Sequence, residues 1–382
     1  MVVGISNETS VAGGDQGTIF NETQEEVLPP VCTQKTQQPP VAGHLDRGRL
    51  VLDAGCRYEV FSGKHLGSCL QGTWVVAAGH SNSNVFMAWL ANELHPGAVN
   101  LTKKYRGQYV GSFLGKVVMV DIVMREGAIL SSRFHLEDPS CSGFNDVWGG
   151  NQTRPKACVA SFSDRIAEAP AYNPQDTRVT WIAAAFWDHL GPVVDAFWDD
   201  RRWAAARMVW TVQIGAWYPL CLQGRCQRQD LGHNDTESLA TYGAQMHPVL
   251  ERLNHHCAGE RARGCFAMTQ HWEAESYDEA LRAALPNYTS LTLLDMERLT
   301  YSMPTESRLG GHGSAVFYAW VWQVALSRVC DPRDAVDPYP QFDGECYARQ
   351  TGCPPLSFYS DRHLDWYDLA VCLNSRGEMC GR

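Results

Sequence analysis

Ser81 has a setting that favours nucleophilic chemistry. It follows Gly79-His80, where an apolar run of strand length from Thr73 changes into a helix-compatible pattern. A tight turn between strand and helix exposes a hydroxyl group, and the N–H groups of the helix N-terminus stabilise a developing oxyanion. The alternative is an N-cap Ser with a structural role only.

Two histidines are candidates for the base that a nucleophilic Ser requires. His363 lies two residues after Asp361, so a turn would bring its ring close to a carboxylate. In Ser hydrolases the His takes the hydroxyl proton and the carboxylate orients the His. His312, in the stretch RLGGHGSAVFY, is the alternative base.

Two further groups of residues have competing interpretations. One group could bind zinc: His255-His256-Cys257, with His233 and His247 upstream. The spacing of these residues matches no compact metal motif, and Cys257 is expected in a disulfide. We therefore predict no metal and no other cofactor. The chain also has thirteen Trp, which would either stack on sugars at a cleft or, more commonly, fill the core. They include Trp187, Trp198, Trp203, Trp210, Trp217 and Trp272.

Strand and helix patterns alternate along the chain. After the strand at 73–79, strands are predicted at 115–124, 177–187, 206–220 and 264–272, and helices at about 191–203, 237–257 and 277–285, before a strand and turn at 290–300. This spacing predicts an α/β domain with a mostly parallel sheet covered on both faces. The chemistry of such sheets lies beyond the carboxyl ends of the strands, where Gly79-His80-Ser81 and Gln213-Ile214-Gly215 both fall. Cys-rich, loop-like insertions are predicted at roughly 130–175, 220–236 and 330–358.

The 382 residues divide into two parts by composition. Residues 1–48 are polar and without periodicity, which predicts a disordered tail or stalk, and residues 49–382 are predicted to form the domain, with order beginning near Leu50. The net charge of -10 argues against a partner made of nucleic acid. No apolar run reaches the ~18 residues that a membrane-spanning helix needs.

Two features indicate the secretory pathway. The fourteen Cys are even in number and form no Cys-x-x-Cys pair, which favours disulfides over metal sites, with buried free thiols as the alternative. Cys56 and Cys69 are a plausible local pair. Acceptors for N-linked glycans begin at six Asn: Asn7, Asn21, Asn100, Asn151, Asn234 and Asn287. Because MVVGISNETSVAGGDQ lacks the regions of a signal peptide, we expect the true start, with a signal or membrane anchor, to lie upstream.

Four blocks of sequence resemble one family. The first, CRYEVFSGKHLGSCLQGTWVVAAGHSNSNVFMAWL at 56–90, is similar to the first block of the SGNH/PC-esterase-like family. This family includes the trichome-birefringence-like polysaccharide O-acetyltransferases and the neurexophilin-and-PC-esterase-like proteins. MVWTVQIGAWYPL resembles the family's strand ending in Asn-x-Gly-x-Trp, and segments 299–318 and 360–373 are similar to its last two blocks. The four blocks occur in the family's order.

The resemblance implies a three-layer α/β/α SGNH-hydrolase-like domain. It also implies an esterase or O-acyltransferase that moves an acyl group, expected to be acetyl, on a glycan or polysaccharide in the Golgi lumen or outside the cell. In the matching positions Ser81 is the nucleophile, His363 the base and Asp361 the residue that orients it. The Ser81 N–H and the Gln213 side chain, with Gly215, hold the oxyanion, and Gly79 and His80 form the turn.

The sequence departs from the family's pattern at three points. His80 stands in the place of the Asp of Gly-Asp-Ser, and Gln213 replaces the usual Asn. The terminal Asp-x-x-His is also altered, because Ser360 lies three residues before His363 and the acid is Asp361. The alternative function is therefore a catalytically inactive relative that binds glycans or acts as a scaffold. A lipid or phosphoester hydrolase using the same site is a third interpretation.

Overall fold

A mostly parallel sheet lies at the centre of the protein. The computed structural model describes residues 29–32, 35–46, 49–61, 63–95, 98, 117–126, 128–136, 163–225, 228–270, 274–304 and 315–334. Within these ranges a seven-stranded sheet has the order β5-β4-β6-β3-β7-β8-β9, and β1 and β2 form a separate antiparallel pair. The strands are β1 (Gly43–Asp46), β2 (Arg49–Leu52), β3 (Thr73–Gly79), β4 (Val117–Arg125), β5 (Ala128–Leu136), β6 (Asp176–Ala183), β7 (Arg207–Gln213), β8 (Ala262–Met268) and β9 (Thr292–Leu294).

Helices cover the sheet. They are α1 (Gly63–Leu70), α2 (Ser81–Leu94), α3 (Trp187–Trp198), the single turn α4 (Trp217–Leu220), α5 (Asp235–Cys257), α6 (Glu275–Ala284), α7 (Met296–Ser302) and α8 (Ala315–Val329). Among the residues described, none of the helices is long and apolar enough to cross a membrane.

The strand directions confirm the predicted α/β class. Strands β6, β3, β7, β8 and β9 are parallel, whereas β4 pairs antiparallel with both β5 and β6. Successive residues of β3 belong to different hydrophobic clusters: Trp74 and Val76 to one, Val75 and Ala77 to the other. Because successive side chains of a strand point to opposite faces, the two clusters cover the two faces of the sheet. This arrangement is compatible with three layers.

The antiparallel edge of the sheet differs from the prediction. We expected a loop-like insertion from about residue 130, but β5 continues to Leu136 and forms a hairpin with β4. The described side chains of β5 are only half-buried or exposed, and Leu130 has 42% of its surface in solvent. An edge strand of this kind carries little of the apolar alternation by which a strand is recognised in a sequence.

The chain also becomes ordered earlier than Leu50. Residues 29–32 and 35–46 lie against the domain: Gln37 accepts a hydrogen bond from Leu293 N (2.8 Å), and its Nε2 donates to the carbonyl of Leu285 (2.8 Å). The Ser302 hydroxyl accepts from Gly43 N and donates to the Val41 carbonyl, both at 2.9 Å. Hydrogen bonds to the backbone and from polar side chains hold this segment, which explains why no hydrophobic pattern marks it. Residues 1–28 lie outside the described residues.

Helices α3, α7 and α8 differ from their predictions. Helix α3 begins at Trp187, ahead of the predicted start at Gly191. Helix α7 was expected as a turn, but the Asp295 side chain caps its N-terminus by accepting from Arg298 N at 3.1 Å. Helix α8 was not predicted, and its sequence AVFYAWVWQVALSRV is apolar almost throughout. A helix without a polar face shows no amphipathic period.

The prediction that Cys56 pairs with Cys69 is wrong. Disulfides join Cys32 to Cys56, Cys69 to Cys330 and Cys257 to Cys265. Cys69 lies near the end of α1 and Cys330 directly after α8. The two elements are held together by Arg263, which donates to the carbonyls of Cys69 and Val329. The broader prediction of disulfides is confirmed for these six Cys.

We expect peptide mapping of the unreduced protein to recover these three pairs. The bond between Cys69 and Cys330 spans 261 residues, so its removal should lower the free energy of unfolding by about 5 kcal/mol in the loop-entropy model. Removal of the bond between Cys257 and Cys265, which spans 8 residues, is the matched control and should cost about 2.5 kcal/mol. Ten or more free thiols in denatured, unreduced protein would contradict the pairing.

A buried ion pair joins the antiparallel edge to the parallel strands. Arg178 on β6 donates to both carboxylate oxygens of Asp121 on β4, at 2.8 and 3.0 Å, and both side chains are fully buried. Thr180 donates to the same carboxylate at 2.6 Å and accepts from Trp74 Nε1 at 2.8 Å. The Arg178 guanidinium also lies 3.9 Å from the centre of the Trp74 ring. The network therefore connects β4, β6 and β3.

Replacing one member of this ion pair should be much more harmful than replacing both. Asp121→Asn leaves the buried Arg178 charge with only its longer contact to Asp200 (3.7 Å) as a counter-charge, and we expect it to cost about 3 kcal/mol of unfolding free energy in a urea titration. The double variant Asp121→Leu/Arg178→Met removes both charges and should recover a large part of that loss. A double variant as unstable as the single one would contradict this interpretation.

Candidate functional site

The Ser81 turn lies where the order of the parallel strands reverses. From β3 the chain passes to β6 on one side of β3, and then to β7 on the other side. Gly79 at the end of β3 is paired with Ala183 of β6 and with Gln213 of β7. In open α/β sheets, ligands bind in the crevice at the carboxyl ends of the strands at such a reversal. The crevice between β3 and β7 is therefore the candidate site.

Gly79 lets the chain turn tightly at the end of β3. A Cβ atom there would lie 2.7 Å from Ser83 Cβ and would also collide with the Gln213 carbonyl oxygen. The Gly79 carbonyl accepts from Ala184 N at 3.0 Å, and α2 begins two residues later. Ser81 is thus the first residue of α2, and the N-cap position suggested for it as an alternative is occupied by His80; the Ser81 side chain lies outside what the structure describes.

His80 is the N-cap residue of α2, but its side chain makes no capping hydrogen bond. Its carbonyl accepts from Asn84 N at 3.1 Å, which closes the first turn of the helix. The imidazole packs edge-on against the Trp217 indole, with 4.6 Å between ring centres. His80 therefore connects the β3 turn to the segment after β7 through a ring contact, where a carboxylate would offer acceptors to the helix N–H groups.

The side-chain amide of Gln213 is already engaged. Its Nε2 donates to the Thr269 carbonyl and to the Met296 sulfur, both at 3.2 Å. Its Oε1 has no hydrogen-bond partner within the part of the chain that the structure describes. Gln213 thus holds the ends of β7, β8 and β9 together. A role as oxyanion donor, which stays a prediction, would require its amide to leave these partners.

Aromatic and charged side chains connect the loop after β6 to the segment after β7. Tyr218 accepts a hydrogen bond from Trp187 N at 3.3 Å and donates to Gln245 at 2.5 Å. Arg228 holds both oxygens of Asp188, at 3.0 and 2.8 Å, and its guanidinium lies over the Phe186 ring. These contacts fix the loop after β6 against the segment after β7.

A network of ion pairs lies after β9. Asp295 accepts from Arg282 at 2.9 and 2.7 Å, and Arg282 also pairs with Glu297. The Thr269 hydroxyl accepts from Glu297 N (3.0 Å) and donates to Asp295 (3.3 Å). Every member of this network has a partner, so it is a support for the edge of the sheet.

Gln270 and Asp278 are two buried polar residues next to this network. Asp278, on α6, accepts the backbone N–H of Gln270 at 2.8 Å through one carboxyl oxygen. Its other oxygen, and Gln270 Nε2, have no hydrogen-bond partner among the described residues. Burial is the main cause that raises the pKa of Asp278 well above its usual range, and the nearby Glu297 and Asp295 charges also raise it, whereas the Gln270 hydrogen bond and Arg282 oppose the shift.

The structure brings together four of the predicted site residues: Gly79, His80, Gln213 and Gly215. The predicted bases and acid, His312, His363 and Asp361, lie outside the described residues. Sequence reasoning missed Gln270 and Asp278. Gln270 lies shortly after the end of the buried strand β8, and Gln213 is the last residue of β7. A polar residue at the carboxyl end of a buried strand is a signal by which a sequence analysis could find such a site residue. Asp278 lies on a helix between other acids and looks in the sequence like a residue of a solvated face.

Other sequence features have structural roles. Cys257 is in a disulfide, and the His256 ring stacks on Trp198 and bonds Asp195 at 3.0 Å. Within the described ranges no group of His, Cys, Asp and Glu is arranged to hold a metal ion. The core interpretation of the Trp residues is confirmed for five that are buried: Trp187, Trp198, Trp203, Trp210 and Trp217. The two described glycan acceptors, Asn234 and Asn287, are exposed.

Comparison of the chain with protein family models, with curated proteins and with solved structures finds no match. The family named above therefore stays a resemblance carried by four short blocks of sequence.

Asp278→Asn should change how stability depends on pH. The folded pKa of Asp278 lies above its unfolded value of 3.8, so the folded state binds the proton more tightly. This group's contribution to stability is complete below that unfolded value and is lost as the pH rises through the folded pKa. Asn retains the acceptor for Gln270 N–H and cannot ionise.

Urea titrations at several pH values above 4 check this prediction. The unfolding free energy of the wild type relative to Asp278→Asn should fall as the pH rises. A difference that stays constant would show that Asp278 is ionised in the folded protein. Glu279→Gln, on the same helix and half a turn from the buried face, is a control in which a neighbouring carboxylate is neutralised.

Proposed function

We propose that this protein is a Ser-dependent esterase or O-acyltransferase of the SGNH type that acts on acylated glycans in the secretory pathway. The observation that carries the proposal is the position of the Gly79-His80-Ser81 turn. It lies at the reversal of strand order, with Ser81 as the first residue of α2 and the end of β7 beside it. Such a crevice is where α/β proteins place their chemistry, and a helix N-terminus favours a developing negative charge.

The reaction runs in two balanced steps. Ser81 Oγ attacks the ester carbonyl carbon while its proton passes to His363, which Asp361 orients. The tetrahedral intermediate collapses, the bond to the leaving alcohol breaks, and that alcohol takes the proton from His363. A sugar hydroxyl or water then attacks the acyl-Ser81, again giving its proton to His363, and Ser81 leaves with that proton. The sugar gives a transferase and water a hydrolase.

Two further features support the setting of this reaction. The three disulfides and the exposed glycan acceptors at Asn234 and Asn287 fit an oxidising, glycosylating compartment. The acyl group we propose is acetyl, on the basis of the resemblance, and the partner is a glycan or polysaccharide with an acyl donor.

A second function is favoured by two observations at the turn. His80 packs its ring on Trp217 and makes no cap to α2, and the Gln213 amide nitrogen is bonded to Thr269 and Met296. The His80 ring contact supplies no fixed negative charge, and the two hydrogen bonds of Gln213 Nε2 leave it no free amide donor. These features favour a non-catalytic relative that binds glycans or acts as a scaffold.

A fluorophosphonate probe separates these two functions. An enzyme should be labelled at Ser81, with no labelling of Ser81→Ala. His80→Asp should label faster and turn over an activated acetyl ester faster, because a carboxylate restores the acceptor that braces the turn. A single positioned group of this kind is commonly worth ~10²–10⁴ in rate. If neither wild type nor His80→Asp reacts while both are folded, the non-catalytic function is the correct one.

The same assay identifies the base. His363→Ala should abolish labelling, whereas His312→Ala should retain it. His312 is a serious competitor because α8 begins three residues after it, and Tyr318 of that helix donates to Asn82 of α2 at 3.1 Å. Loss of labelling in His312→Ala alone would reverse the assignment.

A further inference from the structure

Gln270 presents a buried amide donor at the candidate site. It lies two residues after the end of β8, and only 3% of its surface is exposed. Its side chain lies across the backbone of Gly215, with Cγ and Nε2 at 3.4 and 3.5 Å from the place that a Cβ on Gly215 would occupy. Gly215 comes two residues after the end of β7, so the Gln270 amide reaches over the strand that borders the crevice.

The Nε2 group of Gln270 has no hydrogen-bond partner within the described part of the chain. Buried amide groups in native proteins are almost always hydrogen-bonded, so an exception calls for an explanation such as a ligand or an ordered water. An N–H donor requires an acceptor, and an acyl carbonyl oxygen is one. The unsatisfied group is therefore of the right kind to bind an ester carbonyl.

Asp278 holds Gln270 in place. Its Oδ1 accepts the Gln270 backbone N–H at 2.8 Å, and only 1% of Asp278 is exposed. Burial raises the pKa of Asp278, which disfavours an ionised carboxylate beside a developing oxyanion next to Gln270. Asp278 is thus a positioning residue.

Gln270 also differs from Gln213, the residue expected from the resemblance to supply an amide donor. Both hydrogens of Gln213 Nε2 are used, by the Thr269 carbonyl and the Met296 sulfur. The amide nitrogen of Gln270, which follows the next strand, has no hydrogen-bond partner among the described residues.

We infer that Gln270 Nε2 donates the side-chain hydrogen bond to the acyl carbonyl oxygen of the substrate, in the crevice above Gly215. This inference rests on the proposed function. It assigns the acyl-binding donor to the end of β8, and it leaves Gln213 as a structural link between β7, β8 and β9.

The test compares two buried glutamines. Gln270→Met keeps most of the side-chain volume and removes the donor, and should lower kcat/KM for an activated acetyl ester by about 10²-fold, mainly through kcat. The rate of Ser81 labelling by the fluorophosphonate should fall in parallel, since the phosphoryl oxygen takes the place of the acyl oxygen. Gln323→Met is the control. Gln323 is 4% exposed and both ends of its amide bond the Phe61 backbone, so this variant should lose thermal stability and retain its rate.

Gln270→Glu gives a second measurement, and it serves if the Met variant does not fold. A protonated Glu donates and an ionised Glu does not, so its rate should fall with rising pH at a step that the wild type lacks. A purely structural role would not produce this step.

The outcomes distinguish a failure of this inference from a failure of the proposed function. If wild-type Ser81 reacts and Gln270→Met or Gln270→Glu reacts at the same rate, with no additional pH step, the site holds an ordered water only and this inference is overturned while the proposed function stands. If wild-type Ser81 does not react at all, the proposed function fails and this inference fails with it.

Discussion

The central position of β3 is the constraint on which the rest of the arrangement depends. Strand β3 is hydrogen-bonded to β6 on one side and to β7 on the other. In this register Gly79 is paired with both Ala183 and Gln213, so the three strands end together. With both faces covered, every residue from Thr73 to Gly79 is buried, so the strand cannot slip by one residue without moving its apolar side chains to the wrong face. The buried pair of Asp121 and Arg178 secures the same register from the β4 side. Fixed strand ends in turn fix the place of the turn that carries Ser81.

Much of this arrangement could be predicted from the sequence because it depends on local patterns. The apolar run that ends at Gly79, followed by the helix pattern of Phe86 to Leu94, predicts strand, turn and helix, and β3 and α2 occupy those positions. Strands β7 and β8 are predicted for the same reason. Since parallel strands end at one edge, the pattern also places Gly79 and Gln213 at the same edge of the sheet, and the register adds that they are direct neighbours.

The features that could not be predicted depend on contacts between distant parts of the chain. No local rule indicates that Cys69 pairs with a Cys 261 residues away. The segment around Gln37 is attached by hydrogen bonds, from the Gln37 side chain to the Leu285 carbonyl and from Leu293 N to the Gln37 carbonyl, which leave no trace in hydrophobicity. The same holds at the site. Whether the amide of Gln213 is free or engaged depends on Thr269 and Met296, which follow two other strands.

These contacts explain the roles of Gln213 and His80, two residues that depart from the pattern of the family that the sequence resembles. A Gln is one methylene longer than an Asn, and in this crevice that length lets the Gln213 amide reach Thr269 and Met296 and act as a link between strand ends. A His at position 80 replaces a charge by a ring, and the ring finds an aromatic partner in Trp217. Both side chains are therefore held by neighbours, the Gln213 amide through hydrogen bonds and the His80 ring through an aromatic contact. Among the described residues, Gln270, which follows β8, has an amide nitrogen without a hydrogen-bond partner; Asp278 fixes its backbone and Gly215 leaves room for its side chain. In the proposed reaction an amide donor is therefore available after β8 and not at the end of β7, where the Gln213 amide nitrogen is used to link strand ends.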